Sequence, residues 1–257
     1  MKVQRVVILG STGSIGRSTL DVIAAMPERF RVVGLAAGRN HQMLVKQAQQ
    51  FRPEAVSTLE ADAMDRLRRE LPAGCRVIAG PTGTDELVES VEADIVVNAI
   101  VGVAGLSATL IAVRKTRRVA IANKEPLVVA GPLILAEAEK HGTELTPIDS
   151  EHSALWQAML AGRKDEIARV YLTASGGPFR QWSREQMEYA TVQQALAHPT
   201  WQMGSKITID SATMMNKALE IVEACRLFHL APDQVQVLIH PESIIHSIVQ
   251  FRDGSFL

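Results

Sequence analysis

The sequence predicts an α/β protein: a parallel sheet covered on both faces by helices, then an α+β region of different character. Three observations carry this. Apolar runs of strand length alternate with helix-periodic segments through residues 3–122. A hydrophobic content of 47% over 257 residues supplies a sizeable core, and at roughly 150 residues per domain the length suits one or two domains. Beyond residue 149 the alternation gives way to polar and Gly/Pro-containing stretches.

Residues 3–9 form a continuous apolar run, and residues 14–25 carry helical periodicity that Pro27 ends. Residues 30–37 read as the next strand and 41–51 as the next helix. Weaker strand–helix pairs follow at 55–58 with 61–71, and at 76–79 with 85–91. Residues 94–101 predict a buried strand, 106–115 a helix and 119–122 a short strand. Strands this apolar belong in a parallel sheet with both faces covered. No repeat, low-complexity tract or flexible linker interrupts them, and the first domain is expected to span residues 1–148.

The second domain, 149–257, begins with a helix at 151–160 and a strand at 168–174. Residues 175–205 contain Gly176-Gly177-Pro178, His198-Pro199 and two tryptophans, which predicts a long irregular lid with at most short helices. Residues 211–228 predict one helix, followed by strands at 236–239 and 245–251. Asp253-Gly254 is a hairpin signal with only Ser255, Phe256 and Leu257 after it, so the expectation is a truncated piece of a longer protein.

Composition excludes several functions. Lys and Arg number 27 against 28 Asp and Glu, which leaves no electrostatic footprint for nucleic acid or an anionic membrane. Aromatic residues are only 4%, too few for a base-stacking platform. No apolar run reaches the ~18 residues of a membrane span, and Met1-Lys2-Val3 leads into a strand rather than a signal peptide. Cys75 and Cys225 cannot build a disulfide framework or a cysteine metal site. A soluble, cytoplasmic protein is expected.

Gly10-Ser11-Thr12-Gly13-Ser14-Ile15-Gly16 follows the first strand and opens the first helix, the context of a Rossmann-like dinucleotide turn. Glycines there let the backbone approach a pyrophosphate held on the helix N-terminus. The GxxGxxG spacing is a variant, and a ligand-free glycine turn is the plainer alternative. The second strand ends in Ala36-Ala37-Gly38-Arg39-Asn40, with a guanidinium and no carboxylate, which favours NADP(H) over NAD(H) unless Arg39 is an ordinary surface residue.

Asn123-Lys124-Glu125 follows a short strand at the carboxyl edge of the sheet, where Lys124 could polarise a carbonyl or simply be a solvated loop lysine. Asp149-Ser150-Glu151 offers two hard oxygen ligands for Mg²⁺ or Mn²⁺, or else a helix start with an N-cap and a favourable acid. On the 211–228 helix, Asn216, Glu220 and Glu223 share a face with Lys217 beside them. That face could hold a phosphate and complete a metal site, or form a salt-bridged surface. His198-Pro199-Thr200-Trp201-Gln202-Met203-Gly204 is either satellite packing or a cover that excludes water. His240 and His246 read as structural.

Taken together, these segments resemble the 1-deoxy-D-xylulose 5-phosphate reductoisomerase family over the whole chain. Ala122-Asn123-Lys124-Glu125, Asp149-Ser150-Glu151-His152 and Ser211-Ala212-Thr213-Met214-Met215-Asn216-Lys217 carry the match, with Ser175 to Phe179 and His240 to Ser247 extending it. Pro126 departs from the Ser or Thr usual in the family. Family members also continue through more of the catalytic domain and into a C-terminal helical domain, both missing here.

The resemblance implies that NADPH is held by Thr12, Gly13, Ser14, Ile15, Gly38, Arg39 and Asn40, with Asn123, Glu125 and Gly204 nearer the nicotinamide. It implies a divalent metal on Asp149, Glu151 and Glu220. Substrate contacts fall to Lys124, Ser150, Glu151, Ser175, His198, Trp201, Ser211, Asn216, Lys217 and Glu220, with the phosphate near Ser175, Ser211, Asn216 and Lys217. Lys124, Glu151 and His198 take catalytic roles, and Trp201 and Met203 lie on the lid. The implied reaction is metal-dependent isomerisation and NADPH-dependent reduction of 1-deoxy-D-xylulose 5-phosphate to 2-C-methyl-D-erythritol 4-phosphate, in non-mevalonate isoprenoid precursor biosynthesis, by a homodimer. Two other readings stay open: an NADP-dependent semialdehyde dehydrogenase, which needs an activated cysteine, and a fragment that binds cofactor without turnover.

Overall fold

Val6, Val7, Ile8 and Leu9 are all buried, as a strand must be when helices cover both faces of its sheet. They belong to β1 (Gln4–Leu9), at the middle of a seven-stranded sheet. The computed structural model describes residues 2–201 and 204–257, and divides into two units, Met1–Thr146 and Pro147–Leu257.

In the first unit β1 is followed by α1 (Ser14–Ala25), β2 (Phe30–Ala37), α2 (His41–Phe51) and β3 (Ala55–Thr58). Next come α3 (Met64–Glu70), β4 (Arg76–Ala79), α4 (Gly83–Ser90), β5 (Ile95–Asn98) and α5 (Leu106–Lys115). The unit closes with β6 (Arg118–Ile121), α6 (Lys124–His141) and β7 (Glu144–Pro147). The sheet order is β4-β3-β2-β1-β5-β6-β7, and the pairs from β4 to β6 are parallel. The order reverses at β1, which lies between β2 and β5. In an open α/β sheet that switch point opens a crevice at the carboxyl ends of the strands.

The expected short strand at 119–122 is β6, and the helix α6 after it was not anticipated. Asn123 caps α6 by accepting from the Glu125 N–H at 3.3 Å. Pro126 sits in the first turn, where a missing N–H costs nothing. Pro132 lies inside, and the chain kinks at Ala130 (φ −130°, ψ 22°) to accommodate it. Gly142 ends the helix in the left-handed region at φ 66°.

The second unit contains α7 (Ser150–Met159), β8 (Ile167–Ala174), α8 (Arg184–Glu188), α9 (Val192–Leu196), α10 (Ser205–Ala212) and α11 (Met215–Phe228). It ends with β9 (Val235–Ile239) and β10 (Ser247–Phe251). The sheet order is β10-β8-β9, with β8 antiparallel to β10 and parallel to β9. Leu155 of α7, Ala224 of α11, and Val170, Leu172, Val235, Val249 and Phe251 of the strands form one buried cluster. Each fully buried Leu or Val side chain there contributes roughly 1.5–3 kcal/mol.

The single helix expected over 211–228 is two helices. α10 ends at Ala212, and Met214 adopts a left-handed φ of 61° that redirects the chain into α11. The Asp253-Gly254 turn is present: Asp253 accepts from the Ser255 N–H at 2.9 Å, and Gln250 bridges Phe256 in antiparallel fashion. Among the described residues, no helix is long and apolar enough to cross a membrane.

Candidate functional site

The glycine turn is shaped by close packing. A Cβ on Gly16 would lie 2.4 Å from the Gly10 carbonyl oxygen, and one on Gly10 (φ 81°) would lie 2.6 Å from the Ala99 oxygen. Neither position admits a side chain. The Gly10 and Ser11 N–H groups both donate to the Ala36 carbonyl, at 2.9 and 2.8 Å. Gln47 of α2 clasps Ser11 from behind, accepting from its hydroxyl at 2.8 Å and donating to its carbonyl at 2.9 Å. Gly13, Ser14 and Ile15 are exposed at the start of α1, which has no side-chain cap and no acid in its first turn. The positive end of the helix dipole is therefore open to an anion.

At the end of β2, Gly38, Arg39 and Asn40 are exposed. The Arg39 side chain is 80% exposed, and its only described ion pair is with Glu60 at 3.4 Å. Glu60 lies outside the 36–40 segment, so the carboxylate missing from the local sequence is supplied by the fold. Asn40 also caps α2, accepting from Met43 at 3.2 Å.

The loop between β5 and α5 is held at both ends by buried asparagines. Asn98 donates to the Gly105 carbonyl at 3.1 Å and the Thr109 hydroxyl at 2.7 Å, and accepts from the Ile100 N–H at 3.1 Å. Asn123 donates to the Gly102 carbonyl at 2.7 Å. Both amides close on Gly105, where a Cβ would come within 2.9 Å of each. Lys124 is the first residue of α6 and is buried, which rules out the solvated loop lysine; Glu125 beside it is half-buried.

In the second unit, Asp149 is the N-cap of α7, Glu151 stands in its first turn, and Glu220 lies on α11. The helix start is present, and its geometry leaves the Asp149 and Glu151 carboxylates placed where a ligand pair would need them. One carboxylate oxygen of each of these three residues lies within 4.8 Å of the others. Three hard oxygen donors at that spacing suit Mg²⁺ or Mn²⁺. Ser150 donates to Glu151 Oε2 at 2.5 Å, and Ser247 donates to the Glu151 carbonyl at 2.8 Å.

Lys217, Glu220 and Glu223 are buried, whereas Met215 is half exposed, so the charged stripe of α11 faces inward. The salt-bridged solvated face is thereby corrected: the Lys217–Glu220 pair exists at 2.5 Å but is buried. Lys217 also donates to Glu151 Oε1 at 2.9 Å and to the Thr173 carbonyl. Burial pulls its pKa down, and the Glu220 and Glu151 carboxylates more than offset this, holding it above the ordinary lysine value.

Behind the three carboxylates, His152 is fully buried. Its Nδ1 lies 3.4 Å from Asp149, and its Nε2 lies 3.0 Å from the Glu220 carbonyl and 3.6 Å from Glu223. Burial pulls the imidazole down, but Glu223, Asp149 and Glu220 outweigh it and raise its pKa to about 9. Four carboxylates against two internal cations leave two negative charges in the cluster, a balance that suits a divalent cation.

Ser175 and His198 meet at a tight turn whose Gly177 packs against the Ser211 backbone of α10. His198 Nε2 is 3.0 Å from the Ser175 hydroxyl, and Arg180 donates to the Ser175 carbonyl at 3.3 Å. Gly177 (φ 69°) passes so close to α10 that a Cβ would lie 2.4 Å from the Ser211 carbonyl oxygen. Burial, and then the Arg180 charge, lower the His198 pKa. Asn216 donates to Glu220 Oε1 at 2.5 Å. Trp201 is exposed with its ring 6.3 Å from that of His246, and Gly204 caps α10. Met203 lies outside the described residues.

Glu60, Gln47, Asn98 and Arg180 escaped the sequence reading. Each acts through a partner distant in sequence or through burial, neither of which has a local signature. The cysteine chemistry of a semialdehyde dehydrogenase finds no support: burial pushes the Cys75 thiol up to about 11 and raises that of Cys225.

A family model described as 1-deoxy-D-xylulose 5-phosphate reductoisomerase matches residues 6–131, and one for the C-terminal domain of that enzyme matches residues 145–228. The chain is 49% identical over 257 residues to the 1-deoxy-D-xylulose 5-phosphate reductoisomerase of Pelotomaculum thermopropionicum, a match covering 99% of this chain and 66% of that protein. A solved DOX-P reductoisomerase in complex with NADPH, fosmidomycin and magnesium superposes with a TM-score of 0.92 at 43% identity, over 99% of this chain and 65% of that one. The Zymomonas mobilis enzyme in complex with NADPH gives a TM-score of 0.91 at 41% identity, over 100% of this chain and 66% of that one. The chain spans just under two thirds of the length of these relatives.

Proposed function

The chain belongs to the 1-deoxy-D-xylulose 5-phosphate reductoisomerase family, and from that premise we propose that it serves the metal-dependent isomerisation and NADPH-dependent reduction of 1-deoxy-D-xylulose 5-phosphate to 2-C-methyl-D-erythritol 4-phosphate. The observation that carries this is the convergence of Asp149, Glu151 and Glu220.

Residues 1–148 are assigned to NADPH binding and 149–257 to metal and substrate. The glycine turn and the uncapped start of α1 receive the pyrophosphate, through Thr12, Gly13, Ser14 and Ile15. Gly38, Arg39 and Asn40 take the adenosine end, where the Arg39 guanidinium recognises the 2′-phosphate. Asn123, Glu125 and Gly204 are assigned to the nicotinamide end. Bound there, NADPH supplies the hydride.

Asp149, Glu151 and Glu220 hold the divalent cation, Mg²⁺ or Mn²⁺, which when bound polarises the carbonyl and hydroxyl oxygens of the substrate. Ser175, Ser211, Asn216 and Lys217 take the phosphate, and Ser150 contacts the sugar. Lys124 and Glu151 handle protons. His198 and Trp201 close the lid, which keeps water from the aldehyde that must wait for hydride. A cytoplasmic homodimer acting on a sugar phosphate in isoprenoid precursor biosynthesis completes the reading.

The test is NADPH oxidation by the chain with 1-deoxy-D-xylulose 5-phosphate and Mg²⁺ or Mn²⁺, run beside a full-length relative. Metal-dependent oxidation with formation of the methylerythritol product is expected. NADPH binding without turnover would favour the cofactor-binding reading, and failure to bind NADPH would defeat both.

A further inference from the structure

Lys217 stands inside the carboxylate cluster. Its ammonium donates to Glu151 Oε1 at 2.9 Å and to Glu220 Oε2 at 2.5 Å, and reaches the Thr173 carbonyl at the end of β8. The two carboxylates spend their other oxygens on protein donors as well: Glu151 Oε2 accepts from Ser150 and Glu220 Oε1 from Asn216. Two of the three groups assigned to the metal are thus bridged by a cation that the chain itself supplies. Lys217 and Glu220 are three positions apart on one helix, so this bridge is built into α11.

A dication drawn to the carboxylate oxygens that Lys217 holds weakens the grip of the ammonium on them, because the two cations repel at contact distance. Lysine is suited to yield. Its charge is a compact point on a flexible stem, and its three donors can be re-aimed. Once displaced, the ammonium would be buried without its carboxylates, a costly state unless another anion arrives. The Thr173 carbonyl holds Nζ two residues from Ser175, whose hydroxyl meets His198, and Gly177 carries the same turn onto Ser211.

We propose that Lys217 is an internal counter-cation that competes with the divalent metal for Glu151 and Glu220, and that metal entry turns its ammonium toward a phosphate dianion, so that metal and phosphate bind with positive coupling. The proposal rests on the metal reading above. It gives Lys217 opposite effects on two ligands, weakening one and strengthening the other. A lysine that only recognises phosphate would leave metal affinity unchanged.

The experiment measures Mn²⁺ binding to the chain by the electron paramagnetic resonance of free Mn²⁺, without nucleotide or substrate. Lys217→Gln, which removes the competing charge, is expected to bind Mn²⁺ about tenfold more tightly than the wild type, a typical size for such coupling. Lys217→Arg keeps a cation in place and is expected to bind no more tightly than the wild type. In the wild type, saturating Mg²⁺ should tighten inorganic phosphate about tenfold, and phosphate should tighten Mg²⁺ by the same factor, since linkage is reciprocal. Lys217→Gln should lose that coupling.

Equal or weaker Mn²⁺ binding by a folded Lys217→Gln would overturn the proposal. So would independent binding of phosphate and Mg²⁺ to the wild type, a measurement that needs no variant. Glu220→Gln separates the two layers. If it abolishes Mn²⁺ binding while Lys217→Gln fails to tighten it, the metal reading stands and the counter-cation falls. If Mn²⁺ binds neither the wild type nor any variant, both fall.

Discussion

His198 Nε2 lies 3.0 Å from the Ser175 hydroxyl, and the direction of that hydrogen bond is decided on the far side of the ring. There the backbone N–H groups of Thr200 and Trp201 donate to Nδ1 at 3.2 and 2.9 Å. Nδ1 therefore carries the lone pair and Nε2 the proton, so the imidazole is neutral and donates to Ser175.

A second proton would land on Nδ1, facing two donors, and burial with the Arg180 charge already holds the pKa below the ordinary value. A histidine depressed in the folded state contributes stability that is present above its unfolded pKa of about 6.5 and is lost as pH falls through the folded value. Proteolysis of the 175–201 segment should therefore accelerate as pH drops below about 6, while the first unit stays protected. In His198→Ala the segment should be cut readily at every pH. A flat wild-type profile across the same range would show that the His198–Ser175 hydrogen bond does not hold the segment.

Arg39 and Glu60 form an exposed pair at 3.4 Å. Arg39→Asp should weaken NADPH at least about tenfold relative to NADH, since a cation facing the 2′-phosphate becomes an anion. Glu60→Gln should move the other way by only a few-fold, because an exposed ion pair contributes at most about 1 kcal/mol. Coenzyme dissociation constants check both. If Arg39→Asp leaves the preference unaltered, Arg39 has no part in nucleotide recognition.

Asn98→Asp keeps the shape and the acceptor for Ile100 but turns the donation to the Gly105 carbonyl into oxygen–oxygen repulsion, and can accept from the Thr109 hydroxyl only by drawing it off that same carbonyl. A cost of about 1–3 kcal/mol follows from leaving those buried groups unpaired. The loop it holds lies at the carboxyl end of β5, on the side of the switch point away from β2, so the nicotinamide half of the cofactor should suffer most. NADPH binding should weaken while that of 2′,5′-ADP, which lacks the nicotinamide, holds. Parallel losses for both ligands would show a general structural effect.

Gly177→Ala and Gly254→Ala place a side chain at similar left-handed φ values, 69° and 90°. Only the first meets an obstacle, the Ser211 carbonyl oxygen at 2.4 Å, whereas nothing lies within 4 Å of the second. Gly254→Ala should cost about 1–2 kcal/mol from the backbone alone, and Gly177→Ala distinctly more. Thermal unfolding of the two variants compares them directly. Equal losses would mean that the Ser175 turn does not press on α10.

The first unit was legible almost element by element because its strands are buried on both faces and read as unbroken apolar runs. α6 was not, because Pro126, Gly131 and Pro132 look like breakers while one of them occupies the first turn and another a kink. The break at Met214 carries no glycine or proline to announce it. Lys217, Glu220 and Glu223 have the spacing of a solvated helix face, and only the fold turns that face inward. Asp149, Glu151 and Glu220 were visible as residue types, but only the family resemblance joined them, because α7 and α11 meet through contacts as distant in sequence as Lys217 to Glu151, 66 positions apart.

The placement of β8 between β9 and β10 governs when the second unit can exist during synthesis. Tyr171 of β8 bonds to Gln250 of β10 across 79 positions, and His152 reaches the Glu220 carbonyl across 68. In the first unit β2, β3 and β4 each pair with the strand before them, where loop closure is cheap, whereas β5 reaches back to β1 across 89 positions, from Ile95 to Val6. β8 must wait, with its apolar face uncovered, until β10 has been translated. Asp149 and Glu151 spend that interval as ordinary acids near the growing end. On the metal reading, a divalent ion met in that window encounters two carboxylates rather than three, and Lys217 is translated before Glu220 completes the set.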